Sequence, residues 1–143
     1  MKKKSTTEHR FEKVEIINGT RFINDSKSTN FHSVSSASER VKNALLIMHG
    51  ITKNIPTSEL QLSNEIKKII IPNDMNLDHN LFHCEVEVIK SIFELEDILK
   101  KDFQRFETVL FSCGGSSFND FENYIERGKF FKSIVKNLKG GQN

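Results

Sequence analysis

The 143-residue chain carries 21 Lys and Arg against 19 Asp and Glu, a net charge of +2, with 36% hydrophobic and 28% charged residues. That length fits one domain with its own core, and the near-neutral balance gives no field that argues for a nucleic-acid partner. Two cysteines, Cys84 and Cys113, are too few for a disulfide framework and point to a reducing cytoplasm, while no apolar run approaches the ~18 residues of a membrane helix.

Residues 1–8, with Lys2-Lys3-Lys4 and no apolar segment behind the charges, read as a flexible basic tail and not as a signal peptide. Residues 9–139 read as the domain and 140–143 as a frayed end. Lys13 to Ile17 alternates as a strand, Asn18-Gly19 supplies the left-handed backbone of a two-residue hairpin turn, and Thr20 to Asn24 returns antiparallel. A polar run follows, Asn24-Asp25-Ser26-Lys27-Ser28-Thr29-Asn30. Val34, Ala37 and Val41 space a helix over Phe31 to Asn43, with Ser28 or Thr29 expected to cap it. Ala44 to Met48 is continuously apolar, as a strand covered on both faces must be, and Gly50 ends it.

Ser58 and Gln61 suggest a capping box, so a helix is expected over Ser58 to Lys68, before a short buried strand at Ile69 to Ile71. Asn73 to Phe82 reads as a loop or a poorly defined turn of helix, and Cys84 to Ile89 as a strand. Ser91-x-x-Glu94 opens a helix whose Ile92, Leu95, Leu99 and Phe103 share one face. Thr108 to Phe111 is a buried strand, followed by a loop over Ser112 to Ser117. Phe118 to Arg127 reads as a helix closed by Gly128, and Lys129 to Leu138 as a separate amphipathic one.

Strands alternating with helices give an α/β, Rossmann-like fold: a mostly parallel sheet with right-handed crossovers and the N-terminal hairpin as an antiparallel edge. In such sheets ligands sit beyond the carboxyl ends of the strands. Three loops leave those ends, Asn24–Asn30, His49–Lys53 and Ser112–Ser117, and all three carry groups able to hold an anion. In the first, hydroxyls beside a helix start explain a cap but not Lys27 with Asp25 in the same turn. Lys53 in the second reads either as a solvated charge or as an anion ligand. The glycines and serines of the third read either as an anion nest or as an ordinary capped turn.

No Walker phosphate loop and no G-x-S-x-G elbow occurs, and no catalytic residue is assigned. His79-x-x-x-His83-Cys84 falls short of a four-ligand zinc set, so no metal site is expected. Cys113, in a Gly-rich turn, reads as a small buried residue ahead of a low-pKa thiol. The aromatic residues fall at core spacing, without the basic interleaving of a single-strand binder.

HRFE at His9 and NDSKSTN at Asn24 resemble the opening of the C-terminal domain of Mur ligases, the bacterial cell-wall amide ligases. SSFNDFENYIERGKFFK from Ser116 is similar to the closing Ser-aromatic-Asp-x-Phe-x-x-aromatic-x-x-Arg-Gly stretch of the family's D-glutamate-adding members. The likeness runs from about His9 to near the end, with the middle matching in element order more than in residues. Departures are Phe31 after Thr29-Asn30, His49-Gly50-Ile51-Thr52-Lys53 without a Gly-Gly-Asp, and Gly114-Gly115 where a proline is usual.

The resemblance implies a domain that receives D-glutamate and closes over ATP in a ligase that phosphorylates the carboxylate of UDP-N-acetylmuramoyl-L-alanine. It implies Lys27, Thr29, Lys53, Ser117, Phe118 and Tyr124 at the substrate, and His9, Arg10, Asp25 and Lys27 at ATP. Magnesium and the phosphate loop would lie outside this segment, so the chain alone is not expected to make the amide bond; it reads as an excised domain, as a separately encoded part whose partner chain carries the Walker loop, or as a truncated product. The alternatives are a non-catalytic module for an acidic metabolite or nucleotide, and the C-terminal domain of another Mur-type ligase.

Overall fold

A computed structural model describes residues 8–52, 56–75 and 77–141. The expected basic tail, except Glu8, and the last two residues of the expected frayed end lie outside the described residues. Strands β1 (Glu12–Ile17) and β2 (Thr20–Asp25) form the hairpin, turning at Asn18 (φ 49°) and Gly19 (φ 88°). Then come α1 (Phe31–Ser38), β3 (Ala44–His49), β4 (Ile66–Pro72), β5 (Glu85–Ile89), α2 (Leu95–Asp102), β6 (Thr108–Gly114) and α3 (Tyr124–Gly140). The six-stranded sheet has the order β1-β2-β6-β3-β4-β5, antiparallel only at β1/β2. The last strand in sequence thus lies between the second and third, which sets three loop-bearing strand ends side by side. No helix among the described residues is long and apolar enough to cross a membrane.

Side-chain alternation along the central strands divides the core in two. Phe22, Leu45, Ile47, Val109 and Phe111 meet α2 and α3; Phe111 and Phe131 stack with ring centroids 4.6 Å apart. Ile23, Leu46, Met48, Ile69 and Leu110 meet Phe31, Val34 and Ala37 of α1. Ile92, Leu95, Leu99 and Phe103 are all fully buried, as their spacing requires.

Several local expectations change. No helix spans Ser58 to Lys68; the described part has only a short 3-10 turn at Thr57–Glu59. The reason is tertiary pairing: Gln61 and Ser63 N–H groups donate to the hydroxyls of Ser35 and Ser38 on α1, and Ile66 already pairs with Ala44. Lys68 hides the strand period, since it is buried and neutralised by Asp102 (2.6 Å) and Glu87 (2.8 Å). Helix α1 stops at Ser38, five residues short of Asn43, and its cap is Asn30, whose side chain accepts from Ser33 N (2.9 Å), in place of Ser28 or Thr29. At Ser91 the hydroxyl accepts from Phe93 N and a 3-10 turn precedes α2.

The final segment differs most. Ser112–Gly114 completes β6, Ser117–Asn119 is a 3-10 turn, and one continuous helix runs through Gly128. Asn123 caps it by accepting from Glu126 N (2.9 Å). Gly128 therefore does not end a helix; a Cβ there would collide with the His9 ring.

Candidate functional site

The register Asp25↔Ser112 and His49↔Gly114 places the three loops at one end of the sheet. Two of them are zipped together: Ile51 N donates to Ser116 O and Ser116 N to Ile51 O, both at 2.9 Å. Gly50 (φ 124°) and Gly115 allow this approach, because a Cβ on either would lie 2.5–2.9 Å from the other loop's backbone. The first loop joins through Gly114 N, which donates to Ser28 O (2.9 Å).

A cavity of about 430 Å³ opens between the loops, lined by Thr29, Ile51, Thr52, Ser117, Phe118 and Tyr124 among others. Thr29, Ser117, Phe118 and Tyr124 were each expected at the substrate, and the fold brings them together. Phe118 is 73% exposed, an aromatic ring left at the mouth. Lys27 reaches the same place from the side, its Nζ donating to the Tyr124 hydroxyl (3.0 Å) and lying 4.5 Å above the ring. Lys53 lies outside the described residues; Thr52, next to it in sequence, lines the cavity.

A second, smaller cavity of about 230 Å³ adjoins Lys27, lined by Arg10, Asp25, Lys27, Ser28, His32 and Arg40 among others. Three of the residues expected at ATP meet here. Both Asp25 carboxylate oxygens are engaged internally, Oδ1 accepting from Phe11 N (2.8 Å) and Oδ2 from the Ser112 hydroxyl (2.7 Å). Burial pushes the Asp25 carboxyl up, against those two hydrogen bonds. The Ser28 hydroxyl is buried and has no partner among the described residues, although the residue lines the same cavity as Arg10, Lys27 and Arg40. His9 is not on this surface: it is 2% exposed, its Nδ1 2.8 Å from Asn24 Nδ2, its ring edge-on to Tyr124.

Two residues escaped the sequence reading. Arg127 is fully buried behind the loops and hydrogen-bonds to all three, and His49 beside it has Nε2 2.7 Å from Asp120 Oδ2. An arginine on the buried face of an otherwise amphipathic helix was the available signal. Cys113 is fully buried and its thiol is pushed up to about 12 by desolvation, so it is an inert core residue.

Burial lowers the pKa of both His9 and His49 and so favours the neutral ring at pH 7, where the His49–Asp120 contact is a hydrogen bond and not an ion pair. Unfolded histidine titrates near its ordinary value of 6.5. Below that pH the unfolded chain takes up protons that the native one refuses. Stability is therefore full above pH 6.5 and drains as pH falls toward the lowered native values. Asp25, with its raised pKa, acts in the opposite direction, since the native carboxyl takes up its proton more readily than the unfolded one as pH falls. The urea midpoint should be lower at pH 5.5 than at pH 7.5, and His49→Gln should flatten that difference.

No protein-family model matches the chain. Proteins named UDP-N-acetylmuramoylalanine--D-glutamate ligase do. That of Thermosipho africanus is 36% identical over 139 residues, covering 94% of this chain and 33% of the relative. That of Thermosipho melanesiensis is 36% identical over 138 residues, covering 93% and 32%. That of Pseudothermotoga lettingae is 33% identical over 150 residues, covering 92% and 33%. The chain thus spans about a third of the length of the curated relatives it matches. With its hairpin-edged parallel sheet and its converging loops, it belongs to the Mur ligase family, as a domain of the C-terminal kind carried by the D-glutamate-adding ligases.

Proposed function

We propose that this chain is the substrate-binding C-terminal domain of a cytoplasmic, ATP-dependent ligase that adds D-glutamate to UDP-N-acetylmuramoyl-L-alanine. The observation that carries the reading is the convergence of Thr29, Thr52, Ser117, Phe118 and Tyr124 on one cavity, with Lys27 at its side. D-glutamate bears two carboxylates. Lys53 binds one, and Ser117 with the backbone around Phe118 holds the other end, while Tyr124 and the Phe118 ring pack on the carbon chain. Lys27 and Thr29 stand between this cavity and the smaller one.

The smaller cavity fits a nucleotide phosphate chemically. Arg10, Lys27 and Arg40 supply positive charge, and the unpartnered Ser28 hydroxyl supplies a hydrogen bond still to be made. His9 supports this wall by fixing Asn24, and Asp25 by tying the loop to Phe11 and Ser112. When bound, ATP supplies the phosphoryl group that activates the substrate carboxylate as an acyl phosphate. These 143 residues contain no Walker phosphate loop, so we place magnesium and phosphoryl transfer on residues beyond them, whether in the same polypeptide or in a partner chain.

The test is an NMR titration with D-glutamate, with L-glutamate as control. The amides of Thr29, Ile51, Thr52, Ser117 and Phe118 should shift, with affinity around millimolar, about −4 kcal/mol. Charge-assisted hydrogen bonds are worth about 1.5–3 kcal/mol, so Lys53→Ala should weaken binding by about tenfold or more. Saturating D-glutamate that moved none of these signals would sink the assignment in favour of a module for another anion.

A further inference from the structure

Arg127 heads the fully buried side chains by volume, and all its hydrogen-bond partners are neutral. Nε donates to Ser26 Oγ (3.0 Å) and Nη2 to Ser26 O (2.8 Å), both in the first loop. Nη1 donates to Gly115 O (2.8 Å) in the third loop, and to His49 O (3.3 Å) and Nδ1 (3.2 Å) at the start of the second. A guanidinium is always protonated and can only donate. His49 Nδ1 must therefore accept, which leaves its proton on Nε2, facing Asp120 Oδ2 at 2.7 Å. Asp120 lies two residues beyond Phe118, in the turn where Phe121 N donates to Ser117 O (2.9 Å). One cation thus links the first loop, the second loop, the third loop and the turn that presents the exposed Phe118 ring.

Stability is a poor reason for this arrangement. A buried charge is costly to desolvate, and well-packed apolar residues of similar volume often do as well or better. What a planar fork of donors provides that an apolar side chain cannot is fixed spacing between several carbonyls at once. We infer that Arg127 is the positioning residue of the cavity: it holds the three loops at the separation that lets Thr29, Thr52 and Ser117 face one ligand, and through His49 and Asp120 it aims the Phe118 turn. The inference deepens the proposed function and rests on it for the identity of the ligand, D-glutamate.

Two variants of this chain test it. Arg127→Lys keeps a cation but loses the fork. Asp120→Ala cuts the outer end of the relay, and because its side chain is 29% exposed it opens no core cavity. Hydrogen exchange is measured without ligand, and D-glutamate affinity by NMR. In Arg127→Lys the Ile51 and Ser116 amides should exchange about tenfold faster or more, while Leu46 and Leu110 in the central strands keep their protection. D-glutamate binding should weaken by about tenfold or more. In Asp120→Ala the acceleration should be confined to the turn, at Phe121. Loop and strand amides accelerating together would make Arg127 a general stabiliser and overturn the inference, as would D-glutamate bound by Arg127→Lys as tightly as by the parent. Failure of the parent to bind D-glutamate would instead remove the proposed function, and the exchange pattern alone would then decide the role of Arg127.

Discussion

Gly50→Ala is expected to destroy the cavity while leaving the sheet folded. Two penalties add at this position. The backbone φ of 124° lies where residues with a Cβ are strained, at a cost of about 1–3 kcal/mol. The new methyl would also lie 2.5 Å from Ser116 O and 2.6–2.7 Å from the Gly115 carbonyl. These are backbone atoms, so no rotamer change can clear them, and overpacking costs about another 1–3 kcal/mol. The simplest relief is to part the paired segments, breaking both Ile51–Ser116 hydrogen bonds. The strands behind keep their pairing and their apolar cover. Urea unfolding should show a loss of about 3 kcal/mol, and the D-glutamate titration should lose the shifts at Ile51, Thr52, Ser117 and Phe118. Retention of those shifts at parental affinity would show that the cavity does not depend on the apposition of the two loops.

Gly128→Ala should destabilise the protein even though alanine is the better helix former. In a plain helix interior the change gains about 0.5–1 kcal/mol. Here the methyl would run into the His9 ring and lie 3.1 Å from Asn24 Nδ2. His9 is buried and its Nδ1 contacts Asn24 Nδ2, so expelling it forfeits a hydrogen bond worth about 1 kcal/mol together with the packing around it. With overpacking at about 1–3 kcal/mol, the unfavourable side prevails by about 1–3 kcal/mol net. His9→Ala should remove the obstacle, so Gly128→Ala placed in that background should become neutral or stabilising. The double-mutant cycle by urea denaturation reads this coupling directly, and additive effects would show that the helix and the chain start do not meet at this point.

Part of the architecture was legible without coordinates because it rests on local chemistry. Asn18-Gly19 specifies a hairpin turn, the apolar run at Ala44–Met48 specifies a doubly covered strand, and the facing Ile92, Leu95, Leu99 and Phe103 specify a buried stripe. Where tertiary partners replaced local ones the reading failed. Ser58 and Gln61 looked like a helix start, but the Gln61 and Ser63 N–H groups found hydroxyls on α1. Gly128 looked like a helix stop, but it is small because His9 lies on it. Lys68 and Arg127 stood only at the ends of expected helices, and nothing local marked them as buried, because a side chain's burial depends on neighbours distant in sequence.

The same division runs through the site. The sequence by itself determined which groups leave the strand ends: Asp25, Lys27 and Thr29 in one polar run, Lys53 after Gly50, and Ser117-Phe118 after the glycine pair. It also carried the motifs that point to a D-glutamate-adding ligase. Only the tertiary structure decided that these groups converge, because β6 inserts between β2 and β3 and brings three loops from separate parts of the chain to one edge. It also decided that a buried guanidinium spaces those loops, since carbonyls at Ser26, His49 and Gly115 become partners of Arg127 only after the sheet has formed. Local propensity acts over a few residues, whereas the distance between the two walls of a cavity is set by strand order and by hydrogen bonds between segments up to a hundred residues apart.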